Sequence, residues 1–201
     1  MPENKNSSDG YSSNHSSGPW IVGITGASGI VYARRLLSAL LEHVPTIKLE
    51  VVLSEAALRV MKEEDGLSSS VGRLLVSDLV GFDSDRVVVL SNRNIGASIA
   101  SGSYPTAGMI VVPCSMRTLA AISCGYCDNL IQRAADVILK EQKKLVIVPR
   151  ETPLSVIHLE NMLKLARLGV SIVPAMPGFY HQPQSISDLV DMMVMRIIDQ
   201  M

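Results

Sequence analysis

Glycines at three-residue steps with hydroxyls between them mark the first place where this chain could do chemistry. Gly23-Ile24-Thr25-Gly26-Ala27-Ser28-Gly29 follows a short apolar run and opens a long amphipathic stretch. Glycine at a strand-to-helix turn lets the backbone approach an anion, and the unpaired amides of the helix's first turn offer donors at the positive end of its dipole. Thr25 and Ser28 add hydroxyls suited to the same use. The pattern predicts a phosphate site.

Charged or hydroxyl-bearing residues stand at four further places. Arg150 and Glu151 follow an apolar run directly, where a charged pair is costly unless it is partnered or faces a site. An arginine there can fork onto phosphate oxygens, and a glutamate can manage a proton. Arg133 and Lys140 are seven apart on one predicted helix, about 10 Å along its axis and on nearly one face. They can bracket one anion; an Asp136–Lys140 pair with Arg133 in water is the plainer alternative. Tyr180, in a loop holding Pro177 and Gly178, can reach a phosphate with its hydroxyl or simply anchor that loop. Glu64, inside the run Glu63-Glu64-Asp65, reads as part of a solvated face. No serine or cysteine nucleophile motif accompanies His158 or His181, and no metal need be invoked where arginine and lysine supply charge.

Composition narrows the partners. A chain of 201 residues with 47% hydrophobic content is of single-domain size, and a net charge of -1 offers no basic field for nucleic acid. No apolar run approaches the roughly 20 residues of a membrane span, and no signal-peptide pattern opens the chain, so a cytoplasmic protein is expected. Cys114, Cys124 and Cys127 are an odd number in apolar surroundings, which favours free thiols. The Cys124/Cys127 C-x-x-C lacks the second pair or the histidines of a zinc site.

The elements that must position these groups can be read from periodicity. Residues 1–18, rich in Ser, Asn and Gly, form an expected disordered tail, and 19–201 one domain. Strands are predicted at Ile21–Thr25, Leu49–Leu53, Val87–Leu90, Met109–Val112, Leu145–Val148 and Val170–Val173. Helices begin after Gly29, at Ser54, at Ser115, at Asp128 as N-cap, at Ser155 and at Ser185. The helix after Ser155 carries Val156, Leu159, Met162, Leu163 and Ala166 on one side and ends at Gly169. Met192, Met193 and Met195 fit either a core helix or a subunit contact. The segment between Asp65 and Asp85 stays open in detail.

Alternating strands and helices imply a doubly wound α/β fold: a mainly parallel sheet, right-handed crossovers and helices on both faces. Ligands bind there beyond the carboxyl ends of the strands. The residues after each apolar run are Thr25–Gly29, Ser54, Ser101–Ser103, Pro113–Thr118, Arg150–Pro153 and Pro174–Tyr180. A nicotinamide reductase is the natural rival. Its acidic ribose ligand is replaced by Ser54, however, and no tyrosine has a lysine four residues on. One phosphate cradle suits a mononucleotide, FMN.

As a set, these segments carry a resemblance. Gly23–Gly29, Ala100-Ser101-Gly102-Ser103, Pro113–Leu119, Asp128–Asp136, Leu139–Glu141, Pro149–Pro153, Ile157–Met162 and Pro177–Tyr180 resemble the flavin prenyltransferases of the UbiX type, in order from about Trp20 to Met201. The resemblance implies an enzyme that joins a dimethylallyl group, from dimethylallyl phosphate, to N5 and C6 of reduced FMN. The prenylated FMN would serve a UbiD-type decarboxylase. It implies flavin binding by Gly26, Ala27, Ser28, Ser54, Ser115, Met116, Arg117, Thr118 and Arg150. The prenyl phosphate would fall to Ser101, Gly102, Arg133, Lys140, Tyr180 and Arg196, with Glu64 and Glu151 near the reacting centre and Lys140 and Tyr180 also catalytic. It further implies a large homo-oligomer. A cysteine decarboxylase of the same fold is a related reading, against which Pro113–Thr118 argues; a flavin-carrying subunit is the non-enzymatic one.

Overall fold

The computed structural model describes residues 18–65 and 76–201. The expected tail therefore lies outside the described residues except for Gly18, as do residues 66–75 of the open segment.

Six strands build one sheet: β1 (Trp20–Ile24), β2 (Leu49–Leu53), β3 (Val87–Ser91), β4 (Gly108–Cys114), β5 (Lys144–Pro149) and β6 (Ser171–Ile172). All pairings are parallel, in the order β3-β2-β1-β4-β5-β6. Burial on both faces explains the unbroken apolar runs of the central strands. Alternate residues Val22, Ile24, Val51, Ile110, Val112, Val146 and Val148 enter one core cluster. Ile21, Val52, Met109, Val111, Leu145 and Ile147 enter the other.

The first cluster is covered by α1 (Ile30–His43), α2 (Glu55–Asp65), α3 (Val76–Val80) and α7 (Ile186–Ile198). The second is covered by α4 (Met116–Cys124), α5 (Leu130–Lys140) and α6 (Val156–Arg167). Helices on both faces of a parallel sheet make the fold doubly wound, as expected. Because the chain winds outward from β1 through β2 to β3 and then returns to β4, the carboxyl ends of β1 and β4 flank the topological switch point. That crevice is where such sheets take ligands.

Local signals set most boundaries. Ser54, Ser115, Ser155 and Ser185 each accept a first-turn amide with their hydroxyls. Gly169 takes the left-handed φ of 84° after α6. One expectation needs correction. The N-cap of α5 is Asn129, whose side chain accepts from Gln132 N at 3.1 Å, and not Asp128, whose carboxylate instead takes the Asn129 amide. In α6 only Met162 of the expected stripe is buried, along with Leu165; Val156, Leu159 and Leu163 stand half or more exposed. No helix among the described residues is long and apolar enough to cross a membrane.

Candidate functional site

Thr25, buried at the end of β1, fixes the crevice. Its Oγ1 donates to Pro113 O at 2.8 Å and accepts from Ser115 N at 2.7 Å, and its amide also donates to Pro113 O. One hydroxyl thus bolts the ends of β1 and β4 together. Thr25→Val keeps the shape but leaves the Ser115 amide without its acceptor, while Pro113 O keeps the Thr25 amide. The protein should lose about 1–3 kcal/mol of stability, the cost of one unsatisfied group. Urea denaturation with an unchanged m-value checks this.

The glycine turn is held tightly. A Cβ on Gly26 would lie 2.3 Å from Ala56 Cβ in the first turn of α2, so only glycine lets the turn pack there. Gly29, at φ 109°, starts α1. Ser54 N donates to Ile24 O, which brings the start of α2 beside the turn. Arg150 N donates to Cys114 O at 3.3 Å and Arg150 Nε to Ser28 O at 3.1 Å. In α4, Ser115 Oγ meets Thr118 Oγ1 at 3.1 Å and accepts from its amide. Gly26, Ala27, Ser28, Ser54, Ser115, Met116, Arg117, Thr118 and Arg150 therefore share one rim, at the carboxyl ends of β1, β2, β4 and β5. Glu151 adjoins it, with Oε1 accepting from the Thr152 amide at 2.9 Å. Burial pushes the Cys114 thiol far above its ordinary range, which makes it a poor nucleophile despite its place on this rim.

Glu64 reaches this rim from the last turn of α2. Its carboxylate accepts from Gly29 N at 2.9 Å and Ile30 N at 3.0 Å, so a carboxylate already sits on the donors that the sequence assigns to a phosphate. The turn is built to receive an anion. No local pattern in Glu63-Glu64-Asp65 announces this, since the partners lie 34 and 35 residues away.

A second set stands elsewhere. Ser101–Ser103 do not crown a strand; they come five residues or more before β4, toward the amino-terminal edge of the sheet, where Ala107 N donates to Pro19 O just ahead of β1. There they meet the end of α5. A Cβ on Gly102 would lie 2.2 Å from Glu141 Oε1 and 3.1 Å from Lys140 Nζ, and Lys140 Nζ pairs with Glu141 Oε1 at 3.1 Å. Ser101, Gly102 and Lys140 are thus brought together, while Arg133, two turns earlier, pairs with Asp136. The Asp136–Lys140 alternative is replaced by these two pairs.

Seven-residue β4 separates this cluster from the first rim by about 20 Å. One chain cannot place Lys140 beside an anion held at Ser28 and Arg150.

Tyr180 belongs to the carboxyl edge. The chain runs past the end of β5 through Val173 N to Ile147 O and Ala175 N to Pro149 O, and carries Pro177–Tyr180 onward from there. The Tyr180 ring lies back on Gly178, where an added Cβ would be 2.6 Å from Tyr180 Cε1, and meets the His181 ring at a tilt of 55° with centroids 4.3 Å apart. Arg196, on α7, pairs with Asp199 at 2.7 Å. Cys124 and Cys127 are free thiols, and no group of three or more metal-ligating side chains forms among the described residues.

The chain and its fold have counterparts among known proteins. The model of the Flavoprotein family matches residues 8–198. A probable UbiX-like flavin prenyltransferase of Streptomyces sp. (strain D7) is 49% identical over 180 residues, covering 90% of this chain and 84% of that protein. A dodecameric FMN-dependent UbiX-like decarboxylase from Escherichia coli O157:H7 superposes with a TM-score of 0.81 at 46% identity, over 90% of this chain and 92% of that one. AnUbiX (PadA1), solved with FMN and dimethylallyl pyrophosphate, gives 0.79 at 42% identity over 91% of each chain.

Proposed function

The chain belongs to the flavoprotein family and, within it, to the UbiX-type flavin prenyltransferases; from that membership we propose that it joins the dimethylallyl group of dimethylallyl phosphate to N5 and C6 of reduced FMN. The product would be prenylated FMN for a UbiD-type decarboxylase. The observation that carries this reading is the rim at the switch point, where hydroxyls, backbone amides and Arg150 converge and Glu64 already stands in for an anion.

FMN fits that donor set. Gly26, Ala27, Ser28 and Ser54 would hold its phosphate, and Ser115, Met116, Arg117, Thr118 and Arg150 the ring's polar edge. Bound reduced FMN supplies the nucleophilic nitrogen and carbon. The chain's own contribution is charge and protons. Breaking the allylic C–O bond leaves negative charge on the departing phosphate, and Lys140, Arg133 and Arg196 are cations able to take it, with the Tyr180 hydroxyl as a further donor. Glu151, on the flavin rim, would accept the proton released at N5.

Because Ser101, Gly102 and Lys140 stand at the opposite edge from the flavin rim, the site is completed only where the far edge of one copy meets the near rim of another. The dodecameric relative and the exposed apolar stripe of α6 support an assembly of this kind. Three unpaired cysteines accord with action in the reducing cytoplasm.

Anaerobic incubation of the protein with reduced FMN and dimethylallyl phosphate, followed by mass analysis of the flavin, tests the proposal. A gain of one prenyl unit is expected. Unchanged FMN from folded, flavin-loaded protein rejects it.

A further inference from the structure

One buried carboxylate takes no part in the chemistry above. Glu50, the second residue of β2, is 9% exposed and points, with its pairing partner Ile21, into the core cluster beneath α4, α5 and α6. Its Oε1 accepts from the Tyr104 hydroxyl at 2.6 Å. Its Oε2 has no hydrogen-bond partner among the described residues. Among the described residues Tyr104 is therefore the hydrogen-bond partner of this carboxylate, across 54 residues of sequence.

Tyr104 closes the turn that carries Ser101 and Gly102. Its amide donates to Ser101 O at 3.2 Å, and its carbonyl accepts from Lys143 Nζ at 3.1 Å. The ring packs on the second core cluster. The hydrogen bond to Glu50, reinforced by burial, raises the phenol above its ordinary range, so Tyr104 stays a donor. The turn is thus pinned twice: through the phenol to β2, and through the carbonyl to the start of β5. Between those pins, Gly102 lies against Lys140 and Glu141.

The geometry points to Glu50 and Tyr104 as positioning residues: through the Tyr104 hydroxyl, Glu50 holds the Ser101-Gly102-Ser103 turn against Lys140, and so sets the affinity for the prenyl phosphate donor. This rests on the reading that the turn and Lys140 bind the donor's phosphoryl group. Neither residue touches the donor.

The test measures KM for dimethylallyl phosphate, kcat and the Kd for FMN in Tyr104→Phe, Glu50→Leu and Glu50→Gln. Phenylalanine removes the donor and leucine the acceptor, so both should raise the donor's KM about tenfold, in keeping with a hydrogen bond to a charged group. The Kd for FMN should stay within about twofold, because its rim is at the other edge of the sheet. Glutamine keeps an acceptor oxygen for the phenol and should restore KM to near the wild-type value. Hydrogen exchange at the Tyr104 amide should quicken in the first two variants and not in the third. An unchanged KM in Tyr104→Phe, or loss of FMN together with the donor, overturns the inference while leaving the prenyltransferase reading intact. Wild-type protein that transfers no prenyl group overturns that reading and this inference with it.

Discussion

Replacing Lys140 by alanine should lower prenyl transfer by about 10²- to 10³-fold while FMN stays bound, the loss seen when one preorganised charge is taken from a developing anion. Within one chain Lys140 pairs with the neighbouring Glu141 and is half exposed, so its removal costs the fold little. FMN retention follows from position, because Arg150 and Ser28 lie beyond the other end of β4. The same separation makes a sharper experiment available. Arg150→Ala should lose flavin, and neither variant should be active alone. Co-assembled from equal amounts, the two should recover activity at about a quarter of the sites, those where an intact rim meets an intact Lys140 edge from a neighbour. Turnover assays on co-expressed, differently tagged chains measure this. A mixture as inactive as its components would mean that both residues serve the same site from one chain, and would overturn the shared site; a Lys140→Ala variant active on its own would remove Lys140 from the transfer step.

The first rim was legible because its signals are local. Gly23–Gly29 is a contiguous turn, the four serine caps sit one residue before the helices they start, and β2 falls on Leu49–Leu53 as its apolar run predicts. The far edge was misplaced for a topological reason. Ser101–Ser103 do come after the strand at Val87–Ser91, yet they also come before β4, and the 3₁₀ turn at Ser98–Ala100 lies on the way between the two edges. Periodicity cannot say at which edge a long connection leaves its hydroxyls. Contacts that bridge distant segments were equally out of reach: Thr25 to Pro113 and Ser115, Glu64 to the amides of α1, and Glu50 to Tyr104. For Glu50 a weak signal existed. A lone carboxylate within an apolar strand must find a partner, though nothing local says which. The choice between Asp128 and Asn129 as cap turned on one residue, both side chains being capable.

The α6 stripe leads to the other large effect. Val156, Leu159 and Leu163 recur at the spacing of one helix face, and the same spacing serves a core or an interface. In the single chain Leu159 is 51% and Leu163 50% exposed, while Met162 and Leu165 on the adjoining face are buried. A second copy of the chain is the occupant that the reading requires, since Lys140 must be delivered by a neighbour. Leu159→Arg should therefore dissolve the assembly without unfolding the chain. Within one chain the residue packs against little, so the change should cost at most about 0.5 kcal/mol. Across an interface, a leucine is worth about 1.5–3 kcal/mol and symmetry repeats the loss on both sides of a two-fold contact. The sum corresponds to at least about 100-fold weaker association. Sedimentation should show smaller species that keep a native circular-dichroism spectrum and a cooperative melt, at a temperature lowered by the lost association, and prenyl transfer should fall in step with the loss of assembly. If the variant sedimented as the wild type does and turned over normally, α6 would not be the joining face. If it fell apart yet kept full activity, one chain would hold the whole site, and the separation of Lys140 from Arg150 by the length of β4 would have to be closed by some other movement of the sheet.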